Sequence, residues 1–137
     1  EHVCLTYNRL EADVAKSVSQ MLAANKALRY LDLCGNSLGP DGAVALVEGL
    51  KANKGRLQRL GLAQNGIRLA GARALCKHFM AAEGASLTFL DIRHNNVTYR
   101  GLAELRDKLL GKPMEGPEGW MLLFGKSSER QLLINAH

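Results

Sequence analysis

One nine-residue pattern recurs along this chain at nearly constant spacing. Leucine or isoleucine occupies three positions of the pattern L-x-x-L-x-L-x-x-N, and complete copies start at Leu28, Leu57 and Leu87. Successive copies are 29 and 30 residues apart, and Val3–Asn8 supplies the tail of an earlier copy. A period of this length is typical of a solenoid, in which each unit buries its apolar face against its neighbours. The pattern therefore restricts the chain to a stack of similar units.

The alternating apolar residues within each copy predict a short strand with one buried face. Leu31 and Leu33 form such a pair, since side chains alternate in direction along a strand. The asparagine that ends each copy is expected to belong to a ladder. A buried amide has donors and an acceptor, enough to satisfy the backbone groups that a turning chain exposes. The ladder residues are Asn8, Asn36, Asn65 and Asn95.

After each asparagine the apolar period lengthens from 2 to 3.6 residues, which predicts a helix. The apolar helical faces are Ala15, Val18 and Leu22; Ala43, Leu46, Val47 and Leu50; Ala72, Leu75, Cys76 and Phe79; and Leu102, Leu105 and Leu109. Small residues precede these faces at Gly42, Gly71 and Gly101, where a helix must approach the turn closely. Each unit is thus a strand, a turn and a helix.

This long repeat, with a full helix in each unit, resembles the ribonuclease-inhibitor-like subfamily of leucine-rich repeat proteins over residues 2–110. That subfamily includes ribonuclease inhibitor, the Ran GTPase-activating proteins and the repeat domains of NOD-like receptors. The resemblance implies an α/β solenoid, a curved horseshoe segment with parallel strands on the concave face and helices on the convex face. It also implies a non-catalytic scaffold that binds another protein on the concave strand face and the adjoining turns.

The same resemblance leaves two other functions open. One is regulation of a small GTPase in the manner of the Ran GTPase-activating proteins, which stimulated GTP hydrolysis would reveal. The other is the sensing of a ligand or nucleic acid, as in some NOD-like receptors. Binding that weakens steeply with added salt would favour nucleic acid.

The two ends of the chain interrupt the repeat. Residues 1–110 are predicted to hold one partial and three full repeats, and 111–137 a C-terminal cap. Within the cap, Trp120–Phe124 is predicted to add a fifth parallel strand, and Ser127–Asn135 a short closing helix. The front end has no equivalent cap although solenoids need one at each end. We therefore expect missing upstream repeats, and expect this chain to be the C-terminal part of a longer protein.

The outward positions of the predicted strands are the candidate binding residues. Tyr30 and Phe89 are expected either to anchor a partner, since aromatic residues and arginine are enriched at binding hot spots, or to cover neighbours on the sheet. Asp32, Asp91 and Arg93 are expected either to encode specificity by charge or to pair across strands. The predicted partner-binding residues are Tyr30, Asp32, Arg59, Phe89, Asp91 and Arg93.

The concave face of five strands is small for a protein interface. Strands spaced ~4.8 Å apart make a ladder only ~20 Å wide, whereas a standard interface buries ~800 Å² per partner. Upstream repeats or the turn residues Tyr7, Arg68, His94 and Arg100 are therefore expected to contribute.

No catalytic, cofactor-binding or metal-binding residue is predicted. Asp32 and Asp91 lie two units apart, which is a poor arrangement for general acid–base catalysis. No pair of cysteine and histidine residues has the spacing of metal ligands. Gly125-Lys126-Ser127 matches only the end of a phosphate-binding loop, because Trp120 stands where that motif needs glycine.

Charge and cysteine content restrict the partner and the compartment. The net charge of +5 comes from 18 basic and 13 acidic residues, without a run of four or more Lys or Arg, so nucleic acid is not the expected partner. An apolar run long enough to span a membrane is also lacking. Cys4 is predicted opposite Asp32 and diagonal to Cys34, too far for a disulfide. An odd count of 3 cysteines favours a reducing, cytoplasmic compartment.

Overall fold

The computed structural model describes residues 1–53, 56–81, 86–110, 114–115, 120–124 and 130–135. Strands and helices alternate through the first four units. Their bounds are β1 His2–Cys4, α1 Ala12–Ala24, β2 Tyr30–Asp32, α2 Gly39–Ala52, β3 Arg59–Gly61, α3 Arg68–Ala81, β4 Phe89–Asp91 and α4 Tyr99–Leu105. A turn of π-helix follows at Arg106–Leu110, then β5 Met114–Glu115, β6 Trp120–Phe124 and β7 Gln131–Asn135.

The described strands form one sheet in the order β1-β2-β3-β4-β7-β6-β5. The first four strands pair in parallel, in the register that the repeat predicts. Tyr30 lies opposite Arg59, and Arg59 lies opposite Phe89. Cys4 lies opposite Asp32 as predicted. The predicted α/β solenoid is therefore confirmed.

Leucines from successive strands form the core between the sheet and the helices. Leu31, Leu60 and Leu90 are paired across the sheet and are all buried. The predicted helical faces are buried at Ala15, Val18 and Leu22 in α1, at Ala43, Leu46, Val47 and Leu50 in α2, at Ala72, Leu75, Cys76 and Phe79 in α3, and at Leu105 in α4. Leu102 is partly buried, and the Leu109 side chain lies outside the described part. Burying each large apolar side chain contributes about 1.5–3 kcal/mol.

The asparagine ladder connects neighbouring repeats through their backbones. Asn65 Nδ2 donates to the carbonyl of Leu62 in its own repeat at 3.2 Å and to that of Leu33 in the preceding repeat at 2.9 Å. Asn95 Oδ1 accepts from the backbone N–H groups of Asn65 at 2.8 Å and Ile67 at 3.2 Å. Asn36 makes the equivalent contacts, so the ladder is confirmed for these three residues. Asn8, at the first turn, is exposed.

Glycines let consecutive helices approach closely. A Cβ atom at Gly71 would overlap the side chain of Ile67 and lie 2.8 Å from Cβ of Ala43, which confirms the predicted role of this position. Gly49 in α2 is a second such position, which the sequence pattern did not indicate. A Cβ atom there would lie 2.5 Å from the backbone oxygen of Ser19 in α1. The packing of α1 on α2 therefore depends on this glycine.

The C-terminal segment differs from its prediction. Gln131–Asn135 is the strand β7 rather than helix, and it pairs in parallel with β4. Trp120–Phe124 is a strand as predicted, but it runs antiparallel to β7 at the outer side of the sheet. The fifth parallel strand is thus β7, and the predictions of a closing helix at 131–135 and of a parallel strand at 120–124 were wrong. Residues 125–129 lie outside the described part, as does the glycine–lysine–serine sequence within them.

The exposed edge of β4 explains why this segment is a strand. The N–H of Ile92 donates to the carbonyl of Leu133 at 2.9 Å, and the N–H of Gln131 donates to that of Thr88 at 2.7 Å. These bonds satisfy backbone groups that the edge of a sheet would otherwise expose. Leu132 and Ile134 are fully buried and alternate with exposed Gln131 and partly exposed Leu133. The division of the chain at residue 110 stays a prediction.

The described helices include none that is both long and apolar enough to cross a membrane.

Candidate functional site

A stack of four side chains crosses the concave face along the first outward row. The register aligns His2, Tyr30, Arg59 and Phe89 on β1 to β4. The guanidinium carbon of Arg59 lies 4.3 Å from the ring centre of Phe89 and 5.5 Å from that of Tyr30. His2 stacks on Tyr30 with ring centres 4.1 Å apart and an angle of 10° between the planes. Tyr30 and Phe89 therefore cover their neighbour Arg59 through cation–π contacts.

The second outward row contains two carboxylates on either side of a glycine. Asp32, Gly61 and Asp91 are aligned on β2, β3 and β4. Asp91 is buried and receives two bonds from the guanidinium of Arg93, from Nε at 2.8 Å and Nη2 at 2.6 Å. Arg93 follows β4 in the same repeat, so this ion pair forms within one repeat. Each group satisfies the other's charge.

The carboxylate of Asp32 has a different environment. Its Oδ1 accepts the N–H of Cys34 at 3.0 Å, and its Oδ2 accepts the hydroxyl of Tyr30 at 3.3 Å. The ion pairs within the described residues do not include Asp32. Within the described residues, a guanidinium forms an ion pair with Asp91 but none does so with Asp32.

A depression of about 470 Å³ lies between the strands and the turns that follow them. Gly61 and Ala63 line it, and Tyr7, Gln64 and His94 reach it from the turns. The hydroxyl of Tyr7 donates to Oε1 of Gln64 at 3.0 Å.

All six predicted partner-binding residues line this depression, namely Tyr30, Asp32, Arg59, Phe89, Asp91 and Arg93. Of the predicted turn residues, Tyr7 and His94 line it, whereas Arg68 borders a separate depression near Pro40.

The turn residues of the depression share an unusual backbone conformation. Tyr7, Gln64 and His94 each immediately precede a ladder asparagine and have φ of 55°, 55° and 56°. Gly35 holds the same place in the second repeat, with φ of 71°. A side chain in this left-handed region costs about 1–2 kcal/mol, and such strain is found at functional sites. Sequence reasoning missed Gln64, although its place one residue before Asn65 repeats that of Tyr7 and His94.

Comparisons with known proteins agree with this architecture. A sequence model of the leucine-rich repeat family matches residues 24–47 and 85–105. Ribonuclease inhibitor from Sus scrofa is 34% identical over 110 residues, covering 80% of this chain and 24% of that protein. RAN GTPase-activating protein 2 from Arabidopsis thaliana is 30% identical over 100 residues, covering 73% and 18%. NACHT, LRR and PYD domains-containing protein 5 from Homo sapiens is 34% identical over 96 residues, covering 70% and 8%.

The chain is a leucine-rich repeat protein. Its repeats are of the ribonuclease-inhibitor-like type, as the sequence pattern predicts. The matched part spans less than a quarter of the length of the relatives named above, since it covers 24% of the first, 18% of the second and 8% of the third. A repeat module for protein interaction is the function class that this family supports.

The Cys34 thiol and the Tyr30 hydroxyl of the concave face have raised pKa values and keep their protons near neutral pH. Burial and the hydrogen bond to Asp32 raise the pKa of the Cys34 thiol to about 12. Burial, and then Asp32, also raise the pKa of Tyr30. Since a thiolate rather than a thiol is the nucleophile, Cys34 is unreactive near neutral pH. In the described part of the chain, groups of three or more His, Cys, Asp or Glu arranged to hold a metal ion are absent.

The three cysteines are expected to react with a thiol reagent at very different rates. Cys4 is exposed, Cys34 is partly exposed with its raised pKa, and Cys76 is fully buried among apolar side chains. Alkylation at pH 8 should modify Cys4 at least about tenfold faster than Cys34, because so little of Cys34 is thiolate. Cys76 should react only on unfolding. Peptide mass spectrometry over time measures all three rates, and equal rates at Cys4 and Cys76 in the folded chain would contradict the packing of α3.

Proposed function

We propose that this leucine-rich repeat protein is a non-catalytic interaction module whose partner protein binds the concave strand face and the adjoining turns. The observation that carries the proposal is the row in which Tyr30 and Phe89 enclose the exposed side chain of Arg59 beside the depression. Aromatic residues and arginine are the side chains most enriched at binding hot spots. The proposed partner-binding residues are Tyr30, Asp32, Arg59, Phe89, Asp91 and Arg93.

Two arginine side chains are already held in place in the unbound protein, which supports the same proposal. A free arginine side chain loses about 0.5–1.5 kcal/mol of entropy when an interface immobilises it. Arg59 is already held 4.3 Å from the ring centre of Phe89, and Arg93 is already fixed on Asp91 by two hydrogen bonds. Both guanidinium groups therefore lose less freedom when a partner binds. Arg59 lies on the strand β3, and a rigid support of this kind favours precise recognition.

A pair of charge reversals tests the concave face. The protein carrying Arg59→Glu and the protein carrying Lys77→Glu are compared in a crosslinked pull-down from cell extract, with captured proteins identified by mass spectrometry. Lys77 is exposed on α3, so its reversal changes the net charge equally without touching the strand face. The partner should be captured at least about tenfold less by Arg59→Glu, which is the loss expected for a hot spot, and unchanged by Lys77→Glu.

The outcomes of this comparison separate the possible binding faces. Loss with Arg59→Glu alone, in a variant whose thermal unfolding is unchanged, supports the concave face. Loss with Lys77→Glu alone would contradict the proposal and indicate the convex helices instead. Equal capture by both variants and the unmodified chain would also contradict it.

Regulation of a small GTPase is the alternative that the similarity to RAN GTPase-activating protein 2 favours. It requires the repeats to act on a bound nucleotide as well as to hold a protein. A single-turnover GTP hydrolysis assay with candidate small GTPases tests it, and stimulated hydrolysis would replace the non-catalytic proposal. The nucleic-acid alternative is less favoured, because Asp32 and Asp91 balance Arg59 and Arg93 on the concave face.

A reducing intracellular compartment remains part of the proposal. The three free thiols of Cys4, Cys34 and Cys76 are compatible with such a compartment. Imaging of the tagged protein in cells tests this assignment, and secretion into the medium would contradict it.

A further inference from the structure

Asp32 and Asp91 occupy the same register position in two repeats, but their carboxylates have different bonding partners. Asp32 Oδ1 accepts the N–H of Cys34 at 3.0 Å, and Asp91 Oδ1 accepts the N–H of Arg93 at 3.1 Å. Each carboxylate thus bonds to the residue two positions later in its own repeat. In the later repeat that residue is an arginine, whose Nε and Nη2 bind Oδ1 and Oδ2 at 2.8 and 2.6 Å. In the earlier repeat that residue is Cys34, which carries no charge. The ion pairs within the described residues do not include Asp32.

Asp32 is partly exposed and lines the depression, and a glycine on the next strand leaves room for its carboxylate. Gly61 lies opposite Asp32 on the next strand and lines the depression. A Cβ atom at Gly61 would lie 2.8 Å from Asp32 Oδ1 and 3.0 Å from Cys34 Sγ. Any larger residue at this position would therefore collide with the carboxylate of Asp32 and the thiol of Cys34. The nearby guanidinium of Arg59 is held over the rings of Phe89 and Tyr30 instead.

We propose that Asp32 is the socket for an arginine side chain of the partner protein, whose guanidinium group would bind this carboxylate as Arg93 binds Asp91. This inference rests on the proposed function, because the socket lies on the proposed binding face. The planar fork of a guanidinium matches both oxygens of a carboxylate. Lysine offers a single ammonium group without this fork, so arginine is the favoured residue.

A peptide titration tests the socket directly. The probe is the peptide acetyl-Gly-Arg-Gly-amide, and its matched controls carry citrulline, which is neutral and nearly the same shape, or lysine in place of arginine. Binding is followed by the amide NMR signals of Cys34 and Gly61. The arginine peptide should shift these signals in a saturable manner, with at least about tenfold weaker binding of the citrulline peptide, since a charge-assisted bidentate pair is lost. Equal binding of the arginine and citrulline peptides would overturn the proposal.

Two substitutions locate the site on the protein. Asp32→Asn removes the charge with little change of shape and should weaken binding of the arginine peptide at least about tenfold. Asp41→Asn, in the exposed first turn of α2, makes the same chemical change away from the face and should leave binding unchanged. Unchanged binding by Asp32→Asn, or an equal loss from both substitutions, would contradict the assignment.

The later repeat suggests a third variant, in which an arginine of the chain itself binds the carboxylate of Asp32. Cys34→Arg copies the spacing of Asp91 and Arg93, so its own guanidinium should occupy Asp32 and block the arginine peptide. Cys34→Ser is the matched control and should still bind. If Cys34→Arg does not fold, the Asp32→Asn comparison still decides the question. Unchanged peptide binding by a folded Cys34→Arg chain would overturn the socket.

Failure of the socket can be distinguished from failure of the interaction module. A partner captured by the unmodified chain and by Asp32→Asn, but lost with Arg59→Glu, would retain the binding face and reject the socket. Saturable binding of the arginine peptide together with partner capture that is insensitive to Arg59→Glu would support the socket and reject the proposed binding face.

Discussion

Replacing Asn65 with alanine is expected to lower the free energy of unfolding by about 3–4 kcal/mol, because several buried backbone groups lose their partner together. The amide of Asn65 donates to the carbonyls of Leu33, Leu62 and Ala63 and accepts from the N–H of Leu38. Alanine replaces none of these bonds, and the site is too deeply buried for water to enter freely. Urea denaturation followed by circular dichroism measures the change.

The matched control is the same substitution at the exposed end of the ladder. The side chain of Asn8 donates to the carbonyl of Thr6 at 3.1 Å, and the residue is exposed. Water can replace that bond, so Asn8→Ala should cost less than about 1 kcal/mol. Equal effects at the two positions would show that the ladder does not hold the repeats together.

Phe79→Ala is expected to cost about 3–5 kcal/mol, the range for removal of a fully buried phenylalanine ring. Phe79 is fully buried in α3 and is among the largest buried side chains of the described core. The guanidinium carbon of Arg130 lies 4.4 Å from its ring centre, so the contact between α3 and the residue before β7 is lost as well. Thermal and urea unfolding both measure the loss.

Phe89→Ala makes the same chemical change on the concave face. Phe89 is only partly buried and contacts Arg59 through a cation–π interaction, which contributes about 0.5–1 kcal/mol at exposed sites. This variant should remain within about 1.5 kcal/mol of the unmodified chain and should lose partner binding instead. A loss of stability as large as that of Phe79→Ala would make Phe89 a structural residue and weaken the binding proposal.

Much of the fold could be predicted because one pattern repeats in register. The spacing of Leu28, Leu57 and Leu87 determines which residues lie side by side, so the pairing of Tyr30 with Arg59 and of Arg59 with Phe89 could be predicted from the sequence. The buried helical faces could be predicted from their 3.6-residue period for the same reason. A single segment can be compatible with either a strand or a helix, but the same pattern in several repeats favours one assignment.

The strand β7 could not be predicted, since it occurs once. The consecutive apolar residues Leu132, Leu133 and Ile134 are compatible with a buried strand or with part of a helix. The deciding factor is the open edge of β4, which supplies backbone partners and is remote in sequence. Tertiary contact therefore determined the conformation of this segment.

The repeat pattern also gave no indication that the carboxylates of Asp32 and Asp91 have different bonding partners. Both acids occupy the same register position, and sequence reasoning treated them alike. Their environments differ because the residue two positions later is Cys34 in one repeat and Arg93 in the other. Reading each acid together with that residue would have indicated that Arg93 binds Asp91, whereas the close packing of Asp32 against Gly61 is visible only in the folded sheet.

The central claim is that the partner protein binds the concave strand face, and site-specific photo-crosslinking tests it most directly. A benzophenone amino acid is placed at Phe89 on the concave face or at Lys77 on the convex face of the protein, and crosslinked products are compared after illumination in cells. We expect a specific partner crosslink from position 89 and none from position 77. A partner crosslink from position 77 with none from position 89 would contradict the account.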